Sequence, residues 1–212
     1  MADNYLDKKM EEYRARPERR PGKGGAGSLA RLLRKNRSHR GYDPSFLVRA
    51  DQLHRIIGVN TLIPSARNQQ VLRFRPVLHD QADRVLPHIR LGGALPHLHL
   101  PLPGTEPNAF IIICSTTPED RYVDMDLGIS AQSMLLQAVE IGLNGICIGA
   151  FDRAAIKEAF CLEYDPILIL AIGKGAESIE RVEIAASEPH AYYREGDTHY
   201  VPKVRLEELI LP

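Results

Sequence analysis

The sequence predicts an α+β domain built around one mostly buried sheet. Two apolar runs, the β-branched residues 109–114 and the fully apolar residues 167–172, are typical of strands that are buried on both faces. Residues 126–141 have the end signals of a helix, because Asp126 is a suitable N-cap and Gly142 a suitable stop. Hydrophobic residues form 44% and charged residues 25% of the 212 residues, which excludes a wholly disordered chain.

The N-terminal region differs in composition from the rest of the chain. Residues 5–15 are a predicted helix with charges on most faces. Residues 17–27 hold two prolines and four glycines, a composition typical of a flexible arm. We therefore expect residues 1–27 to be an N-terminal helix and arm, and residues 28–212 to form the folded domain.

Three elements are predicted in the first part of the folded domain. Ser28 is a suitable N-cap for a short helix, and Asp51 is a suitable N-cap for a helix over residues 52–60. Residues 71–78 alternate in the way of a strand. Since Pro76 has no N–H to donate, this strand is predicted to lie at a sheet edge.

Four segments are predicted in the second part of the domain. Residues 86–104 are rich in Leu, Pro, Gly and His and predict an irregular excursion. Residues 144–148 are a predicted short strand, followed by a helix that Asp152 caps and that ends at Ala159. Residues 192–212 predict an extended tail with a short helical end.

Several protein classes are excluded at this stage. The sequence has no uncharged apolar run of 18 or more residues and no apolar stretch at its start, so it predicts neither a membrane span nor a secretory signal. Cys114, Cys147 and Cys161 cannot all pair, and two lie in apolar runs, which predicts reduced, buried thiols in a cytoplasmic protein. His97 and His99 would share one face of an extended segment, but no carboxylate or Cys lies at ligand spacing, so no metal site is predicted.

The net charge is zero, but the charges are unevenly placed. Residues 14–40 contain ten Lys or Arg side chains and one acid, Glu18. Such an excess attracts an anion, which leaves nucleic acid, a membrane surface or a phosphorylated small molecule as candidates. Nucleic acid is the weaker alternative, because the stretch has no aromatic residue for base stacking and no nucleic-acid-binding motif.

Four segments carry the chemical signal. In chain order they are the arginine segment (Arg37-Ser38-His39-Arg40), the amide loop (residues 64–70), the glycine turn (Gly149-Ala150, after the strand at residues 144–148) and the C-terminal basic pair (Lys203 and Arg205). The first can grip a phosphate, and the second can read the polar edge of a planar ring. The third lets a ligand approach the backbone, and the fourth places two cations on one face of an extended chain. Each segment alone also fits a solvated basic stretch or an ordinary turn.

Together and in this order the segments resemble the nitroreductase family of FMN-dependent NAD(P)H oxidoreductases, from about Leu32 to the C-terminus. The family's Arg-Ser-x-Arg and Pro-Ser-x-x-Asn-x-Gln motifs match the arginine segment and the amide loop. Its Asp-x-Gly-x-x-x-Gln motif matches residues 126–132, and its Lys-x-Arg matches the C-terminal basic pair. The chain departs from many relatives on the substrate side, with Val71-Leu72 in place of Pro-Trp and Gly149-Ala150 in place of Glu-Gly.

The resemblance implies an α+β sandwich with a central, mostly antiparallel sheet flanked by helices, in an intertwined homodimer with FMN in the interface. The cofactor-binding residues that it implies are Arg37, Ser38, Arg40, Pro64, Ser65, Asn68, Gly149, Ala150, Lys203 and Arg205. The phosphate would be held by the basic pair with Arg37 and Ser38, and Arg40 would lie near N1 and O2 of the flavin. The amide loop would contact the ring, with Asn68 from the other subunit, and the glycine turn would direct an N–H at N5.

The implied reaction is ping-pong hydride transfer from NADH or NADPH through flavin N5 to a nitroaromatic, quinone or similar flat acceptor. The excursion at residues 86–104 is expected to line the acceptor side. No side chain is expected to act as a nucleophile. FMN is predicted rather than FAD, because the sequence has no Gly-x-Gly-x-x-Gly turn. A superfamily member that breaks down flavin or removes a halogen stays open as the alternative function.

Overall fold

The two apolar runs form the central strands of a four-stranded antiparallel sheet. Its strands are β1 (Leu72–Val77), β2 (Ala109–Ser115), β3 (Asn144–Ile148) and β4 (Asp165–Gly173), in the order β1-β2-β4-β3. Every residue of β2 is buried, as predicted for a strand that is covered on both faces. The predicted edge position of the proline-containing strand is confirmed, since among the strands of the described residues β1 pairs with β2 only.

The computed structural model describes residues 28–93, 95, 98 and 100–211. The helix predicted at residues 5–15, the arm at residues 17–27 and the histidines at positions 97 and 99 lie outside the described residues. The first described helix, α1 (Ser28–Lys35), begins at the residue where the sequence predicts a helix start.

Helices and loops cover the two faces of the sheet through two separate apolar clusters. On one face lie α2 (Ala50–Gly58) and α3 (Arg121–Glu140), and on the other lies α4 (Arg153–Ala159) with the turns that follow β1. The alternation of β2 divides its side chains between the clusters. The odd-numbered residues Ala109, Ile111 and Ile113 pack toward α2 and α3, and the even-numbered residues Phe110, Ile112 and Cys114 pack toward α4.

Two of the four predicted helix caps, those at Asp51 and Asp126, are wrong. Helix α3 starts at Arg121, and Asp120 caps it by accepting hydrogen bonds from the N–H groups of Tyr122 and Val123, both at 2.8 Å. Asp126 lies inside the helix, where its carboxylate has other partners. Helix α2 starts at Ala50, and Asp51 lies in its first turn, bonded to Arg49. The cap predicted at Asp152 is confirmed, because Asp152 Oδ1 accepts from the N–H of Ala155 at 3.0 Å.

A second sheet forms the C-terminal part of the chain. This C-terminal sheet contains β5 (Ser178–Ile184), β6 (Tyr193–Glu195) and β7 (Thr198–Val204), in the order β5-β7-β6. Strand β5 runs parallel to β7, and β6 runs antiparallel to it. The predicted extended tail with a helical end is confirmed by β6, β7 and a single 3-10 turn at Leu206–Glu208.

Of the two cysteines in apolar runs, Cys114 is buried as predicted and Cys147 is not. Cys114 is buried in β2, and burial raises the pKa of its thiol to about 11. Cys147 and Cys161 are exposed. The prediction of a buried thiol is therefore wrong for Cys147, which alternates with the buried Ile146 and Ile148 on the edge strand β3.

Candidate functional site

The arginine segment runs alongside the edge strand β3. Ser38 forms an isolated parallel bridge with Gly145, and the N–H of His39 donates to the carbonyl of Gly145 at 3.3 Å. Strand β3 ends at Ile148, where the glycine turn begins. Two of the four predicted segments are therefore held by the same strand.

The glycine turn leaves its backbone open. Gly149 and Ala150 are both exposed, and a Cβ added to Gly149 would meet no atom within 4 Å. The turn is nevertheless fixed, because the N–H of Arg90 donates to the carbonyl of Ala150 and the N–H of Asp152 donates to the carbonyl of His88, both at 2.9 Å. A planar ligand can thus lie against a rigid, uncovered stretch of backbone.

A cavity of about 460 Å³ opens beside the glycine turn. It is lined by residues on each side of this backbone contact, Pro87, His88, Ile89, Arg90, Ala150, Phe151 and Asp152. Residues 87–90 belong to the excursion that the sequence leaves irregular, in which the structure describes one 3-10 turn, Leu86–His88. The start of the excursion therefore lies next to the glycine turn.

Arg40 is enclosed between the arginine segment and the C-terminal sheet. Its guanidinium lies 4.6 Å from the ring centre of Tyr192, and its Nη1 lies 3.4 Å from Nε2 of His199. Glu177 Oε2 accepts from the backbone N–H groups of Arg40 and Gly41. Arg40 is only 8% exposed, so its charge acts from beneath the surface.

Two buried histidines adjoin this arginine and are neutral at pH 7. Burial lowers the pKa of His199, and the positive charge of Arg40 lowers it further. Burial also lowers the pKa of His39, although the Glu177 carboxylate opposes this effect. Neither imidazole therefore adds a charge beside Arg40.

The C-terminal basic pair lies on and just beyond β7. Lys203 is exposed and pairs in register with Glu183 of β5. Arg205 Nε lies 3.0 Å from Oε1 of Glu208, so its guanidinium already has an ionic partner. A cation that the sequence analysis did not consider, Arg181 of β5, is close enough to the arginine segment to affect the pKa of Arg37.

The amide loop is organised around one buried carboxylate. Asp126 of α3 accepts from Ser65 Oγ at 2.8 Å, from the N–H of Ala66 at 2.7 Å and from Gln69 Nε2 at 2.9 Å. Burial by itself raises the pKa of Asp126, but the three hydrogen bonds outweigh it and hold the pKa below its ordinary value. The carboxylate is 4% exposed and ionised at pH 7. The sequence analysis placed Asp126 at a helix end and did not predict this role.

The backbone of the amide loop is strained. Arg67, Asn68 and Gln70 have φ angles of 52°, 53° and 46°, in the left-handed region that residues other than glycine rarely adopt. Such conformations persist only where neighbouring bonds hold them, and they are concentrated at functional sites. Ser65 Oγ donates to Asp126 and accepts from the N–H of Gln70 at 3.1 Å, so this hydroxyl can offer a ligand only its second lone pair.

A second cavity, of about 650 Å³, lies beside the amide loop. Pro64 and Ser65 line it together with residues from α2, α3 and β1. Asn68 is exposed, and its Oδ1 accepts from Gln70 Nε2 at 3.0 Å. The loop therefore presents Pro64 and Ser65 to a cavity and the Asn68 amide to the surface.

Three of the four predicted segments lie at two edges of the four-stranded sheet, and the C-terminal basic pair belongs to the C-terminal sheet. The arginine segment and the glycine turn lie along β3, whereas the amide loop leads into β1 at the opposite edge. Four strands with the usual spacing place these edges about 14 Å apart. One chain thus brings the arginine segment and the glycine turn together but leaves Pro64, Ser65 and Asn68 at a distance from them.

Two further properties concern only the described part of the chain. Its His, Cys, Asp and Glu side chains form no group of three that could hold a metal ion. None of its helices combines the length and the apolar character that a membrane crossing requires.

Comparison with known proteins gives one consistent result. The family model described as Nitroreductase family matches residues 33–174. A protein of Methanocaldococcus jannaschii that is named a nitroreductase is 35% identical over 57 residues, which are 27% of this chain and 29% of that protein. The solved structure of a nitroreductase in complex with FMN from Exiguobacterium sibiricum superposes with a TM-score of 0.59 at 19% identity, covering 72% of this chain and 90% of that one. An NAD(P)H:FMN oxidoreductase from Staphylococcus epidermidis gives a TM-score of 0.56 at 20% identity, covering 70% and 87%.

Proposed function

The chain belongs to the nitroreductase family, and from this premise we propose that it is an FMN-dependent NAD(P)H oxidoreductase. One observation carries the proposal: strand β3 holds both the phosphate-gripping arginine segment and the open glycine turn. The complex of the Exiguobacterium relative with FMN and the name of the Staphylococcus relative support it. Bound FMN would supply two-electron chemistry, taking hydride from NADH or NADPH and passing it to a nitroaromatic, quinone or similar flat acceptor in a separate step.

The residues fit a flavin mononucleotide in two respects. Arg37 is partly buried near a second cation, Arg181, which suits a dianionic phosphate. The space above Gly149, where a side chain would project, is open to a planar ring. Both features lie along or near the same edge of the four-stranded sheet.

The arginine segment, the C-terminal basic pair and the glycine turn then have different roles. Arg37, Ser38 and Lys203 would bind the phosphate, and Arg205 would join them by exchanging Glu208 for it. Arg40 would supply a fixed positive charge, while the N–H groups of Gly149 and Ala150 would donate to the ring edge.

The separation of the amide loop from β3 supports a site that two chains build. Pro64, Ser65 and Asn68 of one chain would reach the ring that is held by β3 of the other. Helix α3 exposes Tyr122, Met125 and Ile129 by 40%, 50% and 36%, an apolar surface that a second chain can cover. We therefore propose the intertwined homodimer that the sequence analysis expects.

The homodimer is tested by sedimentation of the purified protein across a range of concentrations. We expect a dimer that keeps its flavin at low concentration, because each site needs residues from both chains. Met125→Asp in α3 should shift the equilibrium to monomers and release flavin. Leu47→Asp, at an equally exposed residue outside α3, is the control. A folded monomer that retains flavin contradicts the proposal.

The activity is tested by the absorbance spectrum of the purified protein and by the identity of the flavin that it releases. We expect FMN, bleaching on anaerobic addition of NADH or NADPH, and recovery of the absorbance when a nitroaromatic or quinone is added. Release of FAD, or a colourless protein, would contradict the proposal. Irreversible loss of the flavin spectrum during turnover would favour flavin breakdown, and turnover of halogenated substrates alone would favour dehalogenation.

A further inference from the structure

We propose that Arg90 selects acceptors that carry an anionic group, such as a sulfonate or a carboxylate, on a flat aromatic ring. Arg90 lies in the excursion at residues 86–104, which the sequence analysis expects on the acceptor side, and it belongs to none of the four motif segments. This inference rests on the proposed function and names the class of acceptor that the site would reduce.

The backbone of Arg90 is fixed against the glycine turn. Its N–H donates to the carbonyl of Ala150 at 2.9 Å, and the preceding residue, Ile89, forms an antiparallel bridge with Phe151. Ala150 therefore holds Arg90 through its carbonyl, and the N–H of the same residue is one of the two that are proposed to meet the flavin ring. The side chain of Arg90 thus begins beside the proposed position of the ring.

The cavity beside the glycine turn offers space for a ligand at this side chain. Arg90 and His88 form part of its wall together with Ala150 and Phe151. Its volume of about 460 Å³ lies in the range that is usual for sites of small molecules. An aromatic acceptor in this cavity would lie next to both the guanidinium and the ring.

The charge of Arg90 is available to such a ligand. Arg90 is exposed, and within the described ranges its guanidinium has no ion pair or hydrogen bond. The acid on the cavity wall, Asp152, caps α4 by accepting from the N–H of Ala155 at 3.0 Å. Gly149 and Ala150 add no charged side chain. A planar guanidinium can bind two oxygens of a sulfonate or carboxylate through parallel hydrogen bonds, so this cavity favours an anion.

The other cation assigned to the ring, Arg40, does not supply this charge. It is enclosed beneath the C-terminal sheet and lines a different cavity, of about 320 Å³, with Glu177 and Arg194. Removal of the Arg90 charge should therefore change the selection of acceptors without a second guanidinium to replace it.

An anionic group at Arg90 has two possible sources, the acceptor and the 2′-phosphate of NADPH. For the acceptor, 4-nitrobenzenesulfonate and 4-nitrobenzenesulfonamide have the same reducible group and nearly the same size, and they differ in charge. Benzenesulfonate and benzenesulfonamide have no nitro group, so the absorbance change of the bound flavin measures their binding alone. Single-turnover reduction of the flavin by NADH and by NADPH, without an acceptor, tests the second source.

We expect the flavin-loaded wild type to bind benzenesulfonate roughly tenfold or more tightly than benzenesulfonamide, because a charge-assisted hydrogen bond usually contributes a factor of about 10 to 100. The kcat/KM values of the two nitro compounds should show the same preference. Arg90→Gln should abolish both preferences, and Arg90→Lys, which keeps the charge, should retain part of them. The melting temperature should not change, because the excursion is attached to the glycine turn through the backbone of Arg90.

The matched control is Arg55→Gln, at an exposed arginine of α2, which should keep both preferences. Three outcomes would overturn the inference: equal binding of the two probes by the wild type, a preference that survives in Arg90→Gln, and an effect of Arg90→Gln on reduction by NADPH alone. A wild type that reduces both nitro compounds equally well overturns the inference and leaves the proposed function standing. A protein whose flavin is reduced by neither NADH nor NADPH overturns the proposed function itself.

Discussion

Asp126→Ala is expected to lower the free energy of unfolding by about 3–5 kcal/mol, because it leaves three donors in the amide loop without their acceptor. The Ser65 hydroxyl and the Gln69 amide can turn toward other partners, but the N–H of Ala66 cannot. The same carboxylate holds a loop with three left-handed residues, which would otherwise relax. Urea denaturation of the two proteins measures the effect.

The neighbouring Asp124 provides the control for this prediction. It is exposed on the same helix, so Asp124→Ala should change the free energy of unfolding by no more than about 0.5 kcal/mol. If both variants unfold at the same urea concentration, the carboxylate of Asp126 does not organise the amide loop.

The pH dependence follows from the lowered pKa of Asp126. A group whose pKa is lower in the folded than in the unfolded state stabilises the fold fully above its ordinary value, here 3.8, and loses that contribution as the pH falls through the folded value. The stability difference between wild type and Asp126→Asn should therefore be constant above about pH 5 and shrink only in more acidic solution. A difference that shrinks near pH 7 would contradict an ionised, hydrogen-bonded carboxylate.

The sequence predicted the strands of the four-stranded sheet because each of them is specified by its own run of residues. A continuous apolar run such as residues 109–114 is stable in few arrangements other than a buried strand. In the same way, Asp152 caps the helix that begins at the residue directly after Asp152. Asp120 and Asp126 are equally good cap residues by type. The choice between them depends on a loop about 60 positions away, so the sequence pattern predicted the wrong helix start.

The candidate site, too, was predicted where its signals are local and was missed where it depends on contacts between distant segments. Motif spacing identified the arginine segment and the glycine turn, and the structure places both along β3. Motif spacing could not show that Arg40 is enclosed by Tyr192 and His199, because these contacts join segments about 150 residues apart. The sequence analysis did not predict strand β5. Most side chains of β5 are exposed, so the strand lacks the apolar run of a core strand.

Gly145→Ala is expected to destabilise the protein by about 1–3 kcal/mol, the usual cost of overpacking, and to weaken FMN binding as well. The added Cβ would lie 2.6 Å from the carbonyl oxygen of Ala171 and 2.7 Å from Cδ2 of Leu135. The Ala171 oxygen belongs to the backbone of β4 and cannot turn aside, so β3 must shift. Ser38 and His39 are attached to β3 at Gly145 and would move with it.

Two matched glycine variants separate the effects on stability and on the site. Gly58→Ala, at the end of α2, introduces a Cβ that meets nothing within 4 Å and should leave both stability and FMN affinity near wild type. Gly149→Ala is equally unobstructed within the chain, so it should keep the stability. Its Cβ would occupy the space proposed for the ring, and FMN should bind more weakly. Thermal unfolding and FMN titration of the three variants give the comparison. Wild-type FMN affinity in Gly145→Ala would show that the arginine segment does not depend on β3 for its position.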